Sequence, residues 1–91
     1  MFPLSDMLKS FVKVGSLTVI DAEGKTHVFA GGPGPEATMR LTDPTLYRKL
    51  FFNPELHAGE AYMDGRMSFP GSSLRAFLTL FSVNRLSLGN Q

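Results

Sequence analysis

The chain has 91 residues, 43% of them hydrophobic with eight Phe, and its nine basic and eight acidic side chains leave a formal charge of +1. That length fits one small domain with about two packed layers, and the balanced charge provides no broad basic face for nucleic acid. The lack of cysteine excludes disulfides, thiolate metal sites and a cysteine nucleophile.

No run of about 18 apolar residues is available to cross a membrane. Met1-Phe2-Pro3-Leu4-Ser5-Asp6 has neither the basic nor the long apolar region of a signal peptide, so a cytoplasmic setting is expected. Leu4, Met7, Leu8, Phe11 and Val12 recur at helical spacing and predict a first helix, with Lys9, Ser10 and Lys13 on its other side and Gly15 as its stop. Ser16 to Ile20 and Lys25 to Phe29 are β-branched or aromatic runs of strand length. Asp21-Ala22-Glu23-Gly24 between them predicts a hairpin whose Asp21 and Glu23 are solvated turn acids.

Ala30-Gly31-Gly32-Pro33-Gly34-Pro35-Glu36 reads as a connecting loop. Its two prolines remove N–H donors that a phosphate cradle needs, and no Lys-Ser/Thr follows. Ala37, Met39 and Leu41 alternate with Thr38, Arg40 and Thr42, predicting a third strand. Asp43-Pro44 then opens a helix with Leu46, Tyr47, Leu50 and Phe51 on one stripe and Arg48 and Lys49 outside. Asn53-Pro54 ends it, and Glu55-Leu56-His57 adds one turn.

Gly59-Glu60-Ala61-Tyr62-Met63-Asp64-Gly65 is the densest cluster of chemically able residues. From Ala61 the alternation predicts a strand with Ala61, Met63, Met67 and Phe69 on one face, and Tyr62, Asp64, Arg66 and Ser68 on the other. Gly65 marks a bulge or a close backbone approach in that strand. Strand geometry would hold the Glu60 and Asp64 carboxylates about 13 Å apart, too far for a catalytic pair. His57, Glu60 and Asp64 lack the spacing of a metal set. Tyr62 reads as a half-buried packing residue. No catalytic, cofactor-binding or metal-ligating residue is therefore assigned. Pro70-Gly71 is a turn, and Ser72 or Ser73 caps a last helix with Leu74, Phe77, Leu78 and Phe81 as its stripe and Leu80 widening it. Asn84 to Gln91 reads as a frayed polar tail. The expected fold is α+β: a small, largely antiparallel sheet with about three helices packed on it.

Leu17-Thr18-Val19-Ile20-Asp21, Asp43-Pro44-Thr45-Leu46-Tyr47, Asn53-Pro54-Glu55-Leu56 and above all Gly59 to Gly65 resemble the N-terminal domain of cyclopropane-fatty-acyl-phospholipid synthases. Ser73 to Leu78 and Asn84 suit the helix that closes that domain, so the match runs in order along essentially the whole chain. The resemblance implies a bacterial S-adenosylmethionine-dependent methyltransferase that adds a methylene across a cis double bond of a phospholipid acyl chain. Its catalytic domain lies C-terminal to this region and would carry the S-adenosylmethionine. Residues 1–91 would then form a non-catalytic accessory domain serving dimerisation, docking on the catalytic domain and lipid positioning, peripheral to the inner membrane. Under that resemblance Leu4, Met7, Leu8, Phe11, Leu74, Phe77, Leu78 and Phe81 are candidates for lipid or partner contact. The element order is also similar to sterol-carrier-protein-like domains. A stand-alone lipid carrier and a structural dimerisation module are the alternative readings.

Overall fold

The computed structural model describes residues 2–89, with side chains described for 4–86; Met1 and residues 90 and 91, the end of the expected frayed tail, lie outside it. In chain order the elements are α1 (Phe2–Phe11), β1 (Val14–Ile20), β2 (Thr26–Ala30), β3 (Gly32–Leu41), α2 (Leu46–Phe52), α3 (Pro54–Met63), β4 (Met67–Ser68) and α4 (Leu74–Gly89). The fold is α+β, with four helices among the described residues instead of about three.

The β1–β2 hairpin forms where the β-branched runs place it, in antiparallel register from Ser16↔Ala30 to Ile20↔Thr26. The sheet as a whole is not largely antiparallel. Its order is β2-β1-β3-β4, and the central pair, β1 with β3, runs parallel from Leu17↔Ala37 to Ile20↔Arg40. Parallel neighbours need a return crossover, and here β2 itself makes the return. After Ala30 the chain passes beneath the start of β1 and emerges on its other side.

That crossing explains the Gly/Pro segment, which was expected to be a plain loop. The Gly31 N–H donates to Gly15 O and the Gly32 N–H to Lys13 O, both at 2.8 Å. A β-carbon at Gly31 would overlap the Lys13 carbonyl, and one at Gly34 would overlap Val14. The glycines are therefore steric necessities of one strand passing under another. β3 begins within this segment, at Gly32, with an irregularity in its register between Val14 and Ser16 of β1.

All the helices cover one face of the sheet. Leu17, Val19, Phe29, Ala37, Met39 and Leu41 point into a core shared with Leu4 and Leu8 of α1, Leu46 and Leu50 of α2, and Ala58 and Ala61 of α3. Phe77, Leu80 and Phe81 of α4 complete it. The alternate residues Thr18, Ile20, Val28, Thr38 and Arg40 face away and remain half-buried or exposed. Strand alternation and helical spacing thus converge on a two-layer domain.

α4 runs well beyond the point where a frayed tail was expected to begin. Phe77, Leu80, Phe81 and Asn84 fall at i, i+3, i+4 and i+7 and are all buried. Asn84, 0% exposed, continues the apolar stripe as its one polar member. Its Oδ1 accepts from the Lys13 and Val14 N–H groups at 2.7 and 2.9 Å. Its Nδ2 donates to Val14 O at 2.9 Å and Leu80 O at 2.8 Å. Both lone pairs and both protons of the amide are used, and α4 is pinned to the point where α1 hands over to β1.

Candidate functional site

The Gly59–Gly65 motif is helical through Met63 and ends in a turn at Asp64 and Gly65, contrary to the strand expected from Ala61. Asn53 accepts from the Leu56 N–H at 3.4 Å and Pro54 occupies the first turn, so the dipeptide that ends α2 also starts α3. Ala58 and Ala61 face the core, whereas Met63, expected inward, is 84% exposed. Two hydrogen bonds close the helix, from the Arg66 N–H to Ala61 O (2.9 Å) and from the Gly65 N–H to Tyr62 O (3.2 Å). This is a Schellman closure with Gly65 at φ +79. A β-carbon at Gly65 would meet nothing within 4 Å, so the expected bulge and close backbone approach are both absent there. Only Met67 and Ser68 remain as strand, paired with Leu41 and Arg40.

The acids of the motif are structural partners. Glu60 Oε1 lies 3.0 Å from His57 Nδ1, one turn back along α3. Arg66 bridges Asp64 (2.8 Å) and Asp43 (3.0 Å), tying the end of α3 to the turn that precedes α2. The Thr45 N–H, the Thr45 hydroxyl and the Arg66 guanidinium, in that order, hold the Asp43 carboxyl below its usual range. Among the described residues no three His, Asp or Glu side chains are grouped to hold a metal ion. Tyr62 is more exposed than its half-buried expectation, with its ring 5.7 Å from that of Phe69.

A second cluster lies at the hairpin turn, and here the reading of Asp21 as a solvated acid is corrected. Asp21 is 5% exposed. Its Oδ1 accepts from the Glu23 and Lys25 N–H groups at 2.9 Å, and its Oδ2 lies 2.7 Å from His27 Nε2. The neighbouring Ala22 N–H donates to the Tyr47 hydroxyl of α2 at 2.7 Å. The His27 hydrogen bond, ahead of the two backbone donors, holds Asp21 below the usual carboxylate range against its burial. A carboxyl depressed in the folded state stabilises above its unfolded pKa, and that stability is lost as pH falls through the folded value. Asp21→Asn is therefore expected to flatten the loss of stability on acidification below about pH 4. Urea unfolding across that range checks this, and an unchanged slope would remove Asp21 from the acid response.

The eight apolar positions singled out for lipid or partner contact mostly face inward. Leu4, Leu8, Phe77 and Phe81 are buried core residues; Met7, Phe11, Leu74 and Leu78 pack against that core with partial exposure. The apolar surface instead lies along Phe51 to Met63. Phe52 is 75% exposed and Leu56 54%, and Phe51 and Tyr62 are also open to solvent. Leu56 and Met63, two turns apart, point the same way and away from the Ala58/Ala61 side. Pro44, Tyr47, Arg48, Phe51 and Phe52 line a groove of about 410 Å³ on the outer side of α2. Phe52 was not singled out in the sequence, and Phe51 was placed on a buried stripe. Recognising Asn53-Pro54 as a helix start would have turned Leu56 and Met63 outward.

No family model matches this chain, and neither curated proteins nor solved structures include a match to it. No helix among the described residues is long and apolar enough to cross a membrane.

Proposed function

We propose that this chain is the non-catalytic, N-terminal accessory domain of a cyclopropane-fatty-acid-synthase-like methyltransferase. It serves docking on the catalytic domain, dimer formation and positioning of phospholipid, in the cytoplasm at the inner membrane surface. One structural observation carries the reading. The Gly59–Gly65 segment spends its polar groups on a helix end and its ion pairs, while α2 and α3 turn apolar side chains outward. That is the economy of a docking element: its acids are occupied and its apolar groups are presented. The ordered family resemblance along the sequence supports the same reading. A stand-alone carrier is less well supported, because the groove of about 410 Å³ lies outside the core.

The reading frame beyond Gln91 is expected to encode a methyltransferase domain. Methylene transfer from S-adenosylmethionine to unsaturated phospholipid is expected from the joined domains, with none from residues 1–91 alone. A frame that continues without a methyltransferase domain overturns the proposal.

A further inference from the structure

We infer that the open edge of β2 is an interface for a second copy of this chain, which pairs its own β2 antiparallel about a two-fold axis at Val28 and joins the two sheets into one. The inference deepens the accessory-domain reading and rests on it for the role of the dimer; the interface itself is argued from backbone geometry.

β2 ends the sheet, with β1 as its one neighbour. The Asp21 N–H donates to Lys25 O and the Gly31 N–H to Gly15 O, both at 2.8 Å. Bonded and non-bonded pairs alternate along an antiparallel ladder. In the register from Ser16↔Ala30 to Ile20↔Thr26, His27 and Phe29 therefore bond to β1. Thr26, Val28 and Ala30 turn their N–H and C=O groups to the open edge. None of those groups has a hydrogen-bond partner among the described residues.

This edge is undefended. Thr26-His27-Val28-Phe29-Ala30 contains no proline and no Lys, Arg, Asp or Glu, the residues by which edge strands avoid pairing. All three outward residues are exposed, Val28 to 64%. The far side of the sheet is different: β4 pairs only with Arg40 and Leu41, and the uncovered part of β3 carries Pro33, Pro35 and Glu36.

The strand is its own complement. Antiparallel pairing about Val28 sets Val28 against Val28 and Thr26 against Ala30, so every outward group of both copies is used. A shift by two residues would instead leave Ala30 facing Gly24 of the turn, or Thr26 facing Gly32 of the crossing segment. About Val28 the flanking Lys25 lies opposite Gly31, so no like charges meet, and each exposed Val28 gains a β-branched neighbour. The two-fold stands perpendicular to the sheet, keeps both helix layers on one face and closes the assembly at two copies.

A single ladder of this length buries less than about 1,200 Å² in total, so the dimer is expected to form only as concentration rises. Sedimentation velocity of the whole chain should show monomer at micromolar and dimer near millimolar concentration. Val28→Lys sets like charges opposite each other and should weaken the dimer about tenfold or more. Its side chain is exposed, so the melting temperature of the dilute monomer should stay that of the parent. The chain has no cysteine, so Val28→Cys brings together two equivalent thiols at a Cα separation of about 5.5 Å, which a disulfide accepts. Oxidation should then give a covalent dimer, whereas Thr26→Cys, opposite Ala30, should give little. A chain still monomeric near millimolar concentration, a dimer that Val28→Lys leaves intact, or equal crosslinking by Thr26→Cys overturns the inference. The accessory-domain proposal is decided separately, by the reading frame beyond Gln91.

Discussion

Asn84→Leu is expected to lower the free energy of unfolding by about 3 kcal/mol, a large share of what so short a chain has. The substitution keeps the branched shape and heavy-atom count of the side chain and adds apolar surface, so a simple hydrophobic ledger would favour it. The hydrogen bonds decide otherwise. Without the amide, the Val14 N–H loses its partner at 2.9 Å, and the Lys13 N–H keeps only the Phe11 carbonyl at 3.0 Å. The Val14 carbonyl also loses its 2.9 Å donor. A buried donor left without a partner costs about 1–3 kcal/mol, more than leucine's gain in transfer free energy at a site already fully enclosed. Urea unfolding with an unchanged m-value measures the loss. Amide exchange should show the first residues of β1 opening most. A loss under about 1 kcal/mol would mean that water can take over the role of the amide.

Gly15→Ala is expected to cost about 3–4 kcal/mol, combining backbone strain with overpacking. Gly15 has φ +81, where a β-carbon costs about 1–2 kcal/mol in any surroundings. The added carbon would also collide with the Pro35 carbonyl and with Leu80 Cδ1, 2.8 Å away. Pro35 is backbone in the crossing segment and cannot yield without displacing β3. Gly65→Ala supplies the comparison, with φ +79 and open space around it. It should show the strain alone, about 1–2 kcal/mol. Equal losses at the two glycines would mean that the crossing is loose enough to absorb a methyl group.

The hairpin was legible because its signals are local: two β-branched runs, a turn tetrapeptide, and Gly24 at φ +87. The apolar stripes of α1, α2 and α4 were legible for the same reason. α3 was not, because its core-facing side is made of Ala58 and Ala61, and two alanines give almost no periodic signal beside the larger Leu56 and Met63. The alternation from Ala61 to Phe69 then imitated a strand. The outward direction of Leu56 and Met63 is hidden with it, since a face cannot be read from a segment whose period is masked.

By itself, the sequence determined an α+β domain, the positions of the hairpin and third strand, and most of the core. It also carried the ordered motifs on which the family proposal rests. Tertiary structure decided the rest. Alternation shows which face of β3 is buried but not which strand lies beside it, and the parallel pairing with β1 follows from the chain passing beneath Lys13 to Gly15. Asp21 and Asn84 look like surface residues locally. Asp21 bonds only within its own hairpin but is enclosed where Tyr47 of α2 binds the adjacent Ala22 N–H, and Asn84 is buried because the end of α1 meets α4. A buried polar side chain is placed by the hydrogen bonds it completes, and those of Asn84 join segments at opposite ends of the chain.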